Sequence, residues 1–245
     1  MKISGTLLAM LVLSGVASAQ GELTDADKQL ITAIQAAGGQ AMPLAKNDAR
    51  LSVAFHLSDK EITDETLAVV KDAANVYSLN LRGTKITDAG LAQLTGLKGL
   101  AKLHLEKTAV TDAGLAHLSA LPLLEYLNVY ETKITDAGLK QVSGLTHLQT
   151  LGLELTAITD AGLDHIQGLQ NLVYLNLYGT KVTDAGLAKL AGLKHLRNLY
   201  VWQTQVTPDG VKKLQEALPG LDINTGWVAP PVEKKDEAKK DAPKK

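Results

Sequence analysis

The chain has 245 residues, with 25 basic and 26 acidic side chains and a formal net charge of −1. Near-neutrality argues against a dedicated nucleic-acid binder, which needs a basic face. The absence of cysteine excludes a disulfide framework, a thiolate metal site and a cysteine nucleophile. Hydrophobic residues make up 45% but aromatics only 4%, so the core must be aliphatic.

At the start of the chain, Lys2 is followed by an apolar run from Thr6 to Val16 and then by Ala17-Ser18-Ala19. A positive start, a short apolar stretch and small residues before the cut describe a secretory signal peptide ending at Ala19. The run is shorter than the ~20 residues of a membrane-spanning helix. The expectation is export to the periplasm or the exterior, with no transmembrane segment in the mature chain.

Residues 20–54 read as an N-terminal cap. Thr24-Asp25-Ala26 opens a helical pattern with Leu30, Ile31 and Ile34 that stops at Gly38-Gly39. A strand-like stretch with Leu51, Val53 and Phe55 then leads out of the cap.

From Phe55 to about residue 225 the chain repeats itself every 24 residues, with no insertion apparent in the sequence. The strand-like pairs are Phe55/Leu57, Leu79/Leu81, Leu103/Leu105, Leu127/Val129, Leu151/Leu153, Leu175/Leu177 and Leu199/Val201, with a degenerate eighth start at Ile223. Each pair is followed by a β-branched residue (Ile62, Ile86 and their equivalents) and a threonine. Asp-Ala-Gly-Leu comes next in five copies, as at Asp88 to Leu91. Leu103-His104-Leu105 alternates as a strand does, whereas Leu91, Leu94 and Leu97 recur on one face of a helix. The threonine suits the N-cap, Asp88 suits the positive end of the helix, and Pro208 after Thr207 suits a first helical position. Capping accounts for the Thr-Asp ladder without a metal. The glycine at position 90 and its equivalents serves close packing between repeats. A strand and a short helix cannot bury these leucines alone, but stacked copies can.

The spacing Leu97-x-x-Leu100-x-x-Leu103-x-Leu105-x-x-Thr108 resembles the leucine-rich repeat, with threonine where asparagine is commoner. The longer pattern L-x-L-x-x-T-x-[IV]-T-D-A-G-L is similar to the F-box-associated subclass and to many exported bacterial repeat proteins. The resemblance covers Phe55 to Asn224 and implies an α/β fold. That fold is a right-handed solenoid with a parallel sheet on its concave face and short helices on its convex face. The segment before the repeats does not look like an F-box, so the resemblance carries fold and no activity.

On such a sheet the residues beside the leucines face outward in columns. Tyr126 and Tyr174 fall in the column before the first leucine, and Asn128, Asn176 and Tyr200 in the column between the two. Tyr130, Glu154, Tyr178 and Trp202 fall in the column after. Six of the nine aromatics lie in these columns, all from Tyr126 onward, and core packing does not call for that placement. Exposed Tyr and Trp are favoured anchors of binding sites. A 48-residue alternation makes Tyr126/Asn128/Tyr130 and Tyr174/Asn176/Tyr178 two copies of one cluster about 10 Å apart, twice the strand spacing.

Catalysis has less support. Glu106 and Glu154 share a column with Tyr130 between them, their backbones ~10 Å apart, just beyond the usual inverting-glycosidase spacing. Neither shows an apolar pocket in the sequence that would raise its pKa. The six histidines lack zinc-ligand spacing, and nucleophile-elbow, phosphate-loop and dinucleotide motifs are absent. The expectation is a non-catalytic scaffold without cofactor or metal, gripping a protein ligand on the concave surface, with a glycan or cell-wall polymer as the other candidate ligand. Residues 226–245 carry six lysines against four acids without apolar periodicity and read as a disordered, solubilising tail.

Overall fold

The computed structural model describes residues 21–226. The signal peptide expected over 1–19 lies outside the described residues, as does all of the expected tail beyond Gly226.

The N-terminal helix forms as its sequence suggests. α1 spans Asp25–Ala36, capped by a reciprocal box in which Thr24 and Asp27 each satisfy the other's amide. Gly38 follows in the left-handed region at φ +95°, where a glycine ends a helix without steric cost. A hairpin comes next: β1 (Gln40–Ala45) runs antiparallel to β2 (Asp48–Ala54) around Lys46-Asn47. The hairpin has no clear signature in the sequence, because β1 buries only Ala41 and contains Pro43, so it lacks alternation. Helix and hairpin together close the end of the solenoid. Ile34 is fully buried, and Asn75 Nδ2 donates to Asp27 Oδ1 at 2.7 Å, tying the helix to the first repeat.

From β2 onward every pairing is parallel. The remaining strands are β3 (Val76–Asn80), β4 (Lys102–His104), β5 (Tyr126–Asn128), β6 (Thr150–Gly152), β7 (Tyr174–Asn176), β8 (Asn198–Tyr200) and β9 (Asp222–Asn224). They stand in sequence order in one nine-stranded sheet, in register at 24-residue steps from β3 to β9. Ile223 pairs with Leu199, so the eighth start is a true strand. Short helices fill the other layer: α2 (Asp88–Ala92), α3 (Asp112–Leu115), α4 (Asp136–Val142), α5 (Asp160–Leu163), α6 (Asp184–Ala188) and α7 (Pro208–Ala217). Between the layers runs one aliphatic core, in which Ile86, Leu91, Leu94, Leu97, Leu100, Leu103 and Leu105 of a single repeat are all fully buried.

The first repeat departs from the regular spacing. Val53, not Phe55, pairs with Leu79, and Ala54 with Asn80, a step of 26 residues. Ile62 still stands 24 residues before Ile86, accepting from Lys85 as Ile86 accepts from Ala109. Two extra residues therefore lie between Phe55 and Ile62. Leu57, expected as a core strand residue, sits in this turn and is 62% exposed. His56 leaves the column shared by Asn80 and His104 for the same reason, Ala54 taking its place.

Two polar ladders lock the copies together. On the convex side the helix threonines cap as expected: Thr87, Thr111, Thr135, Thr159 and Thr183 accept from the amide two residues on, and Thr207, ahead of Pro208, accepts from Gly210. The aspartates do more than meet the helix dipole. Oδ1 of Asp64, Asp88, Asp112, Asp136, Asp160 and Asp184 accepts from the amide of the next repeat's threonine at 2.7–2.8 Å, and Oδ2 accepts its hydroxyl at 2.6 Å. The glycine completes the joint, since a Cβ at Gly162 would run into Asp136 Oδ1, and the other five copies behave alike. Thr, Asp and Gly therefore form one inter-repeat contact read across two copies. In the turn after each strand from β3 to β8, the threonine at 84, 108, 132, 156, 180 or 204 donates its hydroxyl to the carbonyl three residues back at 2.5–2.7 Å. This bond is what threonine supplies at the position where asparagine is commoner.

Candidate functional site

Each outward column is set by the strand period. Leu127 and Val129 point into the core, so Tyr126, Asn128 and Tyr130 must face out, and the register stacks them on Lys102, His104 and Glu106 of the preceding repeat. The tyrosines are half-buried and Trp202 is 47% exposed. Their rings meet along the solenoid axis. Tyr178 and Trp202 stack at 5.0 Å and 20°, Tyr174 and Tyr200 pack at 5.2 Å, and the His104 ring lies 4.5 Å from that of Tyr126. A side chain added at Gly226 would run into the Trp202 indole. One face of the indole is stacked on Tyr178, and much of the rest stays open to solvent.

The duplicated clusters are alike in detail. Asn128 Oδ1 accepts from the Tyr130 amide at 2.9 Å, and Asn176 Oδ1 accepts from the Tyr178 amide at 3.0 Å. Their amide groups lie 3.5 and 3.4 Å from the hydroxyls of Tyr126 and Tyr174. Asn80 repeats the backbone bond with Arg82. These asparagines thus shape the strand exit, and the Asn176 Nδ2 group is committed further, to Tyr174 and to a carboxylate of the preceding repeat. Burial raises the hydroxyl pKa values of Tyr126 and Tyr174 above the usual range.

A groove of about 400 Å³ runs along the concave face. Asn128, Tyr130, Glu154, Asn176, Tyr178, Tyr200 and Trp202 line it, joined by Arg82, Glu106 and Asn224. It thus unites seven of the nine site residues expected from sequence, while Tyr126 and Tyr174 stand beside it as partners of the asparagines.

The carboxylates differ most from the sequence expectation. Glu106 is only 7% exposed, with Oε1 2.9 Å from His104 Nδ1. Glu154 Oε1 accepts from Asn176 Nδ2 at 2.6 Å. In both residues Oε2 is buried without a hydrogen-bond partner among the described residues. Leaving such an acceptor unpaired costs about 1–3 kcal/mol, and more when it is charged. Burial pushes the Glu154 pKa above the ordinary carboxylate range, and repulsion from Glu106 adds to this, against its own amide and Asn176. A desolvated carboxylate was not expected, since no apolar pocket is visible in the sequence.

Its cause lies in neighbours. Where the duplication places His104 beside Glu106, it places Gly152 beside Glu154. A Cβ at Gly152 would stand 2.6 Å from Asn128 Cγ and 2.8 Å from Glu154 Oε2. The glycine leaves the room into which Glu154 folds. A glycine inside a strand is the one sequence signal that marks this place, because it commonly records a close approach. Among the described residues no group of three or more His, Cys, Asp or Glu is placed to hold a metal ion.

The repeat geometry and the leucine spacing define the chain as a leucine-rich-repeat solenoid. A family model described as Leucine Rich repeat matches residues 74–94 and 168–191. Among solved structures, the chain is similar to internalin C2 (inlC2) of Listeria monocytogenes str. 4b F2365, with 26% identity and a TM-score of 0.58, over 84% of this chain and 87% of that one. It is also similar in fold to an internalin (inlF) of the same organism, with 22% identity and a TM-score of 0.54, over 66% of this chain. The match spans about half, 51%, of that internalin's length. No curated protein matches the chain. No helix among the described residues is long and apolar enough to cross a membrane.

Proposed function

We propose that this protein is an exported, non-catalytic scaffold that binds a protein ligand with the concave face of its C-terminal half. The observation that carries the reading is the gathering of Tyr130, Tyr178, Tyr200 and Trp202 around one open groove, although aromatics are only 4% of the chain. Large rings on a rigid sheet offer contact area at small entropic cost. The similarity in fold to internalins supports a scaffold role, and residues 1–19 support export to the periplasm or the exterior. A glycan is the weaker candidate, because a sugar platform needs open ring faces and one face of Trp202 is already stacked on Tyr178.

The test is a pull-down from envelope extract, comparing the protein with a Tyr130→Ala, Tyr178→Ala, Trp202→Ala variant shown to be folded by circular dichroism. The expected outcome is a protein partner retained by the parent, lost by the folded variant and undisturbed by soluble saccharides. Equal recovery on both would remove the concave face as the site.

A further inference from the structure

We propose that the concave groove is a receptor for an arginine side chain of the protein ligand, seated on Glu154 between Tyr130 and Tyr178 with Glu106 as the second acceptor. The inference rests on the concave-face reading above and specifies the partner's chemistry.

Four observations lead there. Glu106 and Glu154 line one groove, and each is held by a single oxygen, to His104 or to Asn176, while the other oxygen is buried and unpartnered. Two carboxylates that repel one another along a groove call for hydrogen-bond donors carrying positive charge. The column order then narrows the choice. Register places Glu154 between Tyr130 and Tyr178, a carboxylate with an aromatic ring on either side. A guanidinium is planar, stacks on aromatic faces and directs several donors along one edge, whereas an ammonium is a compact, strongly hydrated point charge. Finally, Arg82 lines the N-terminal end of the groove without an ion pair to either glutamate, so a like charge at that end directs an incoming cation toward Glu154. Metal coordination is a poorer match, because no third ligand joins the pair among the described residues.

The test uses the full chain, labelled with nitrogen-15 and kept in EDTA, titrated with acetyl-Gly-Arg-Gly-amide and with its citrulline and lysine counterparts. Citrulline keeps the shape of arginine and removes the charge. The arginine peptide is expected to shift the Asn176 side-chain and Trp202 indole resonances saturably, with citrulline weaker by about tenfold or more, as loss of a charge-assisted bond implies. Lysine should fall between them. Glu154→Gln should weaken the arginine peptide by a similar factor and leave the resonances of α2 to α7 in place, which guards against misfolding. Equal affinity for arginine and citrulline, equal affinity for arginine and lysine, an unaffected Glu154→Gln variant, or no shift in the groove would each overturn the assignment. The two readings fail separately. A partner lost on the triple aromatic variant but kept by Glu154→Gln would leave the concave-face reading standing and remove the arginine seat. A partner kept by both variants would remove both.

Discussion

The two faces of the solenoid are made by the same repeat and treat their polar groups in opposite ways. On the convex side six aspartates have both oxygens bonded to the next repeat's threonine, and a glycine in each copy closes the joint. On the concave side two glutamates each leave one buried oxygen unpaired, in columns whose residues change from copy to copy. Uniform, fully paired polar positions describe what the fold requires. Unpaired and varied ones sit at a cost that folding does not explain, which is the ground for the ligand seat proposed above.

The largest effect is expected from breaking the convex ladder. Gly162→Ala should destabilise the chain by about 2 kcal/mol, because overpacking at the joint outweighs the roughly 1 kcal/mol by which alanine is the better helix former. That corresponds to a fall of about 4–8 °C in Tm. The added methyl must displace Asp136, which holds Thr159 by two bonds. Asp136→Ala alone should cost about as much, and the double variant less than the sum, since the first change makes room for the second. Calorimetry on the four proteins checks this, and strict additivity would show that Asp, Thr and Gly do not act as one contact.

A smaller effect is expected on the concave side. Gly152→Ala should cost about 1 kcal/mol, since the nearest obstacle includes the free end of Glu154, which can swing out, together with the Asn128 amide. Carbon-13 NMR of the Glu154 carboxyl should then report a pKa returning toward the ordinary range. The smallest change concerns the backbone alone. Residues 83, 107, 131, 155, 179 and 203 all take positive φ between 51° and 70°, yet only Gly83 and Gly179 are glycines. Gln203→Gly, at φ 53° and with no side-chain hydrogen bond among the described residues, should stabilise the chain by roughly 0.5–1 kcal/mol, measured by denaturant titration.

The same contrast explains what was legible in the sequence. The fold was, because the leucines, the capping threonines and Pro208 repeat at fixed spacing. The first repeat's register was not, because Leu57 imitates a core residue two positions from Phe55 and the inserted pair lies where no pattern exposes it. The hairpin escaped because β1 is an edge strand with little buried surface. In the site, the outward columns and their aromatics follow from strand alternation. The desolvation of Glu106 and Glu154 does not, because it depends on how local and neighbouring-repeat residues close together in space, as Gly152, Asn128 and Asn176 do around Glu154. Nor does the local role of Asn128 and Asn176, whose bonds to the backbone form only once the chain turns at the end of the strand.

The most direct measurement is the thermal stability of unliganded parent and Glu154→Gln across pH, with arginine-peptide affinity taken on the same samples. Because burial raises the Glu154 pKa in the folded state, the folded protein holds that proton more tightly than the unfolded chain does. The associated stability is complete below the ordinary carboxylate range and is lost as pH rises through the raised folded value. Glu106 lies two strands along the same column from Glu154 and repels it, and Tyr126 and Tyr174, neutral throughout this range, lie close by. Glutamine keeps an acceptor for Asn176 and removes the charge. The account predicts that at pH 7 the variant melts higher than the parent. The gain should vanish below about pH 4, while the variant loses about tenfold in affinity for the arginine peptide. A variant less stable than the parent at pH 7, with arginine affinity intact, would contradict it.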